Sequence, residues 1–280
     1  MRGYADAMRV AYYQPMAAMN HAVRIVVSRL LAVAALALLV QTHARADEVR
    51  VMTSGAFTAA HQILSADFEK SRKHTVVTIY GGSMGTGDTT IPRRLERGEP
   101  ADVVILAAGA LDDLIARGLV VAGSRIDLVR STIAMAVRTG APKPDISTVD
   151  ALTRTLLAAR AVGYSSSASG TYLVTELFPR LGVSDALKNR LRVSEGAVGP
   201  LVASGDVEIG FQQLSELMPV SGIEVVGPLP AEVQRVTIFS AGIVRGSKHP
   251  ELARELLDFY RLPSASATIK STGLEPIVIR

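Results

Sequence analysis

Short β-rich runs and amphipathic helical patterns alternate along the chain from Val49 onward. Val49–Met52, Thr75–Tyr80, Asp102–Leu106, Ala161–Gly163 and Val207–Phe211 read as strands bounded by Gly, Ser or Pro. Between them apolar residues recur at helical spacing. Leu111, Leu114 and Ile115 form one face, Leu152, Leu156 and Leu157 a second, and Leu252, Leu256 and Leu257 a third. Ser147, with Asp150 three residues on, opens the second helix close to a capping-box pattern. Pro250 suits the first turn of the third. Such alternation predicts βαβ units and a mainly parallel α/β sheet with flanking helices. Ala141–Pro144 and Val225–Pro230 punctuate the pattern, and two sheets exchanging the chain would fit those breaks.

One apolar run follows neither period. Leu30–Val40 is unbroken, yet it is shorter than the roughly 20 residues that span a bilayer. Preceded by Arg24 and Arg29 and followed by Ala44 and Ala46 at small-residue spacing, it predicts a cleavable secretory signal over residues 1–46. Removing 46 of the 280 residues leaves 234, enough for one large or two small domains.

This segment changes the meaning of the net charge of +4. Five of the 30 basic and one of the 26 acidic residues precede Asp47, which leaves 25 of each in the exported part. A formally neutral body has no basic footprint for a phosphate backbone, so nucleic acid is excluded as a partner. The absence of cysteine excludes disulfides, thiolate metal sites and a lipid anchor. A free protein of the bacterial periplasm is the expectation.

Three Gly/Ser-rich loops stand where a strand hands over to a helix: Thr53–Thr58, Gly81–Gly87 and Tyr164–Thr171. A helix N-terminus presents unpaired N–H groups and about half a positive charge, so it holds an anion without a cationic side chain. In open α/β sheets ligands bind at the carboxyl ends of strands. Ordinary capping and turn roles explain any one such loop; three in one chain point equally to a ligand site.

The second loop imitates sharper motifs. As a phosphate-binding loop it fails, because Asp88 stands where the lysine must be. As Gly81-x-Ser83-x-Gly85 it matches a nucleophile elbow, with His249 as the downstream base and Asp206 as a candidate acid, so a secreted α/β serine hydrolase using Ser83 is an alternative. His61 and His74 lack partners at metal-ligand spacing, and neither a metal nor a cofactor is predicted.

The stretch Gly98-Glu-Pro-Ala-Asp102 followed by an apolar strand, and then Leu111–Leu119, resembles the periplasmic molybdate-binding proteins of ABC transporters. The Val51–Thr58 turn, Tyr80–Ser83 and Ile209–Gln213 extend the likeness over nearly the whole exported part. It implies the type II periplasmic binding fold, with two lobes closing on a ligand cleft. The chain would cross near Arg130–Ala136 and return near Val236–Ala241, giving lobes of 47–131 with 238–280 and of 132–237.

Carried across residue by residue, the family's second-loop serine falls on Ser83. Its first-loop serine falls on Ala56, with Ser54 and Thr58 close by; its backbone donors fall near Ser169 and Ala197, and its tyrosine at or beside Gln213. Ala107–Ala110 replaces an Ala-Asp pair, and the segment Thr86–Arg93 is longer. The resemblance implies a monomer that captures a molybdate- or tungstate-like oxyanion, passes it to an inner-membrane permease and catalyses nothing. Neutral donors select such an anion by cavity size and donor count, and two of them have changed here. An organic di- or tricarboxylate is therefore the competing ligand, with Arg93 or Arg94 as a bidentate clamp unless both lie on a solvated helix face.

Overall fold

The strand patterns condense into two sheets in the computed structural model, which describes residues 47–277; the leader reading lies outside the described residues. In the first sheet β1 (Glu48–Thr53) lies between β2 (Thr75–Tyr80) and β3 (Val103–Ala107), all parallel. In the second, β6 (Val162–Ser165) lies between β7 (Leu191–Ser194) and β8 (Ile209–Gln213), again parallel. The other half of each sheet is antiparallel. β10 (Thr237–Ile243) runs between β3 and β4 (Ile126–Ser131), and β5 (Ile133–Arg138) between β8 and β9 (Ile223–Pro228). The sheets are thus mixed, because the strand that follows each crossing, β5 or β10, starts at the end where the parallel strands stop. The chain crosses at Thr132, between β4 and β5, and returns between β9 and β10.

Side-chain alternation builds a layer on each face of both sheets. On β3, Val103, Ile105 and Ala107 join one apolar cluster while Val104 and Leu106 join the other. On β5, Ile133, Met135 and Val137 face one core and Ala134 and Ala136 the opposite one. Strands buried on both faces read as continuous apolar runs, as Val103–Ala107 does.

Helix α1 (Gly55–Arg72) starts at Ser54, held extended, and stops at Lys73, whose φ of 64° is left-handed. Phe57, Ala60, Leu64 and Phe68 stand on its buried face, each large side chain contributing about 1.5–3 kcal/mol through burial. They meet Leu256, Leu257 and Tyr260 of the helix Pro250–Tyr260, which has proline in its first turn as its sequence predicts. In the helix Val149–Ala158 the cap is Thr148, one residue after the expected Ser147, and its hydroxyl accepts from the Ala151 N–H at 3.1 Å. Leu152 and Leu156 are buried there, but Leu157 points outward. A face of two leucines suffices because Leu173 and Leu177 fill the same cluster. Among the described residues no helix is long and apolar enough to cross a membrane.

Candidate functional site

The carboxyl ends of the parallel strands of both sheets open into one cleft, where β1, β2, β6, β7 and β8 release their loops. Its innermost crevice, about 10 Å³ and so sized for about one water, is lined by Ser54, Ser83, Ser169, Gln213 and Glu216. Outside it lies a cavity of about 470 Å³, bounded by Thr58, Gln62 and Tyr80 from one lobe and by Glu195, Ala197, Gln212 and Glu216 from the other. All six sequence-derived candidates line these two spaces: Ser54, Ser83, Ser169 and Gln213 the crevice, Thr58 and Ala197 the cavity.

Their hydrogen-bonding states differ. Ser54 caps α1 without a side-chain bond, and its buried hydroxyl has no partner. Ser83, fully buried, accepts from the Ala107 N–H at 3.0 Å, which leaves its own proton free to be donated. Ser169 and Ser165 share a hydroxyl contact at 3.3 Å. Gln213 bonds Thr237 Oγ1 at 3.2 Å through Nε2, while Oε1 is buried and unpaired. Since a threonine hydroxyl both donates and accepts, this amide can turn over to aim its N–H groups inward. Two orphaned polar atoms in one crevice mark a place where a ligand or water completes the bonding.

Glu216 was not anticipated by the sequence reading. It lies in the one-turn helix Leu214–Leu217 after β8, and it borders both crevice and cavity. Burial pushes its carboxyl up to about 7, against the partly offsetting Gln212 side chain and Gln213 N–H. Gln212 accepts from the Val198 N–H at 2.7 Å through Oε1, so its NH₂ is committed toward Glu216 Oε1 at 3.0 Å. Gly55, at the start of α1, faces that carboxylate from the other lobe; a Cβ there would lie 1.8 Å from Glu216 Oε1. A signal existed, since Glu216 is one helical turn beyond Gln212, but polarity three residues past a buried strand reads equally as a surface turn.

Two alternatives fall away, and for the two arginines the helix-face reading is the one that holds. Arg93 and Arg94 do not clamp a ligand: Arg93 pairs with Glu96 at 3.1 Å and Arg94 with Glu99 at 2.8 Å, and neither lines the cleft. The hydrolase constellation does not assemble. Asp206 accepts from Ser204 at 2.7 Å in the second lobe, while His249 borders a separate groove with Arg50 and Lys248 on the first. Among the described residues no histidine lines the crevice or the cavity, so none of them serves Ser83 as a base. The loop after β2 also runs from Gly81 to Thr90 before its helix, unlike a sharp elbow. The Asp102 of the Gly-x-Pro-Ala-Asp stretch is structural, accepting from the Arg50 N–H at 2.8 Å, Ser247 Oγ at 2.6 Å and the Lys248 N–H at 3.1 Å.

Two mixed α/β lobes joined by two chain crossings and enclosing a polar crevice define a two-lobed solute-binding protein. The sequence profile of the bacterial extracellular solute-binding proteins matches residues 49–275, and the chain belongs to that family. It is 44% identical over 228 residues to an aconitate isomerase from Pseudomonas sp, covering 81% of this chain and 87% of that protein. It is 26% identical over 241 residues to the molybdate-binding protein ModA of Azotobacter vinelandii, covering 82% and 90%. The solved periplasmic molybdate-binding protein of Azotobacter vinelandii superposes with a TM-score of 0.67 at 21% identity, over 83% of this chain and all of that one.

The isomerase relative overturns the expectation that the protein catalyses nothing. A relative at 44% identity carries the name of an enzyme, so a binding-protein fold does not by itself mark an inert carrier.

Proposed function

We propose that this protein is a periplasmic solute-binding protein that closes on an organic polycarboxylate of the aconitate type and interconverts its double-bond isomers. The observation carrying the reading is the 44% identity to an aconitate isomerase, well above the 26% to a molybdate-binding protein. The cavity of about 470 Å³ agrees with an organic ligand, being within the range of roughly 300–1,000 Å³ usual for small-molecule sites. Among the described residues no Lys or Arg lines it, so the ligand's carboxylates would be met by serine hydroxyls and the first N–H groups of α1. Ser54, Ser83, Ser169 and Gln213 would meet the one carboxylate oxygen that reaches the crevice, with Thr58 and the backbone at Ala197 around the remainder.

Aconitate is a propene tricarboxylate. Loss of a proton from its CH₂ leaves an allylic anion whose two ends are chemically alike, and return of a proton to the other end moves the double bond. That interconversion needs a proton acceptor in the cleft and no net oxidation or reduction.

The test is incubation of the purified protein with each aconitate isomer, followed by proton NMR, beside a thermal-shift panel. A ligand at about 100 times its Kd adds about 2.7 kcal/mol of stability, which is readily seen. The reading predicts interconversion and stabilisation by an aconitate isomer. Stabilisation by molybdate and tungstate, with both isomers inert, would sink it. A second reading, delivery of the bound anion to an inner-membrane ABC permease, draws on the relation to ModA and is tested by uptake in cells lacking this protein.

A further inference from the structure

We propose that Glu216 is the catalytic acid–base of the cleft, carrying one proton between the two ends of the substrate's allylic system. This assignment rests on the isomerase reading above and deepens it.

Position comes first. Glu216 borders the outer cavity and the inner crevice at once, so a ligand in the cavity that directs one oxygen into the crevice passes its carboxyl group. Other ionisable side chains bordering these spaces are poorly suited. Glu195 sits at the rim accepting from Ser166 Oγ at 3.1 Å, and Tyr80, about half exposed, accepts from Gln62 Nε2 at 3.1 Å. Among the described residues no Lys, Arg or His borders either space.

Orientation comes second. The Gln212 amide is fixed by the Val198 N–H and the Gly196 carbonyl, and it holds Glu216 Oε1 at 3.0 Å. Among the described residues no side chain donates to Oε2, which leaves that oxygen for the reacting proton. Gly55 completes the arrangement: with no side chain, it lets the start of α1 come up against the carboxylate. Burial also places the proton affinity of the group near neutrality, where a base can take a proton and give it back.

In the step itself, the Glu216 carboxylate takes a proton from the substrate's CH₂. The C–H bonding pair becomes part of the allylic anion, which the substrate's own carboxylates help to delocalise. The protonated Glu216 then returns the proton to the far carbon. A C–H bond forms there, the double bond settles between the central carbon and the former CH₂, and Glu216 ends as it began. One carboxyl group serves both transfers, and nothing is consumed.

The experiment compares wild type with Glu216→Gln, which preserves size and an acceptor for Gln212, and with Glu216→Asp. Expected is a fall in turnover of about 10²–10⁴-fold in the Gln variant, the usual contribution of a general base. Binding of an aconitate isomer should persist, and above neutrality should be as tight as in wild type or tighter, because a negative charge beside an anion is gone. Glu216→Asp should retain more turnover than Glu216→Gln, and wild-type turnover should rise with pH through neutrality to a plateau.

Turnover in Glu216→Gln comparable to wild type, with wild type active, sinks the assignment alone. Absence of interconversion by wild type sinks the functional reading, and the assignment with it. Should Glu216→Gln fail to melt cooperatively, the wild-type pH profile decides, and a flat profile through neutrality overturns the proposal.

Discussion

Ser215 in one lobe donates its hydroxyl to the Ala56 carbonyl in the other, at 2.8 Å and out of contact with solvent. The bond ties the helix that carries Glu216 to the first turn of α1. A bond between the lobes counts toward stability only in a form that keeps them together. Ser215→Ala should therefore weaken closure without weakening either lobe. A net hydrogen-bond contribution of about 0.5–1.5 kcal/mol corresponds to a two- to tenfold loss of ligand affinity, measurable by titration calorimetry with aconitate. The melting temperature without ligand should barely change. Unaltered affinity would show that closure does not depend on this contact.

Gly55→Ala tests the same interface by sterics. The added methyl would stand 1.8 Å from Glu216 Oε1, so the carboxylate must move or the lobes must stay apart. Overpacking within a fixed core costs about 1–3 kcal/mol, but parting lobes can relieve it here. The free protein should melt near the wild-type temperature, while stabilisation by ligand largely disappears. A variant stabilised by ligand as strongly as wild type would mean that the cleft binds in a more open form.

Ser54 and Ser83 should respond differently to alanine, though both line the crevice. The Ser54 hydroxyl has no protein partner, so Ser54→Ala removes an unsatisfied buried group and should leave the free protein as stable or slightly more so. Ser83 accepts from the Ala107 N–H, so Ser83→Ala orphans a buried donor and should cost about 1–3 kcal/mol in urea unfolding. Both substitutions should weaken binding. Loss of stability without loss of affinity in Ser83→Ala would assign that residue to the scaffold alone.

What the sequence disclosed divides along locality. β2 begins and ends where its pattern predicts, and Pro250 opens its helix, since both depend on neighbouring residues. Ser54, Ser83 and Ser169 were legible as loop residues after strands, and the topology draws such loops together. Glu216 was not, because its burial arises where α1 of one lobe meets the end of β8 in the other. Arg93 and Arg94 invited a clamp reading for the same reason: Glu96 and Glu99 were visible nearby, but their pairing geometry was not. The Gly81-x-Ser83-x-Gly85 match failed because a pentapeptide is local while a triad is not.

The buried imidazole of His61 sets a pH limit on the fold. It lies within 2.8 Å of Thr78 Oγ1 through Nε2 and within 2.8 Å of the Tyr260 hydroxyl through Nδ1, with no solvent exposure. Burial lowers its pKa from 6.5 to about 4. As pH falls below 6.5 the unfolded chain takes up a proton that the folded state refuses, so stability declines until pH nears 4 and then levels. About 2.5 pH units at 1.36 kcal/mol each bounds the loss at about 3 kcal/mol. Glu216 acts in the opposite sense: its raised pKa lets the folded state bind the extra proton between about 4.5 and 7, so its contribution to stability grows as pH falls. The two are separated by comparing urea midpoints at pH 7 and pH 5 in wild type and in His61→Gln, since Glu216 is common to both. The variant should be less stable at pH 7, with Thr78 and Tyr260 less well matched, yet lose less on acidification. An equal loss in the two proteins would mean that His61 is protonated in the folded state as readily as in the unfolded chain.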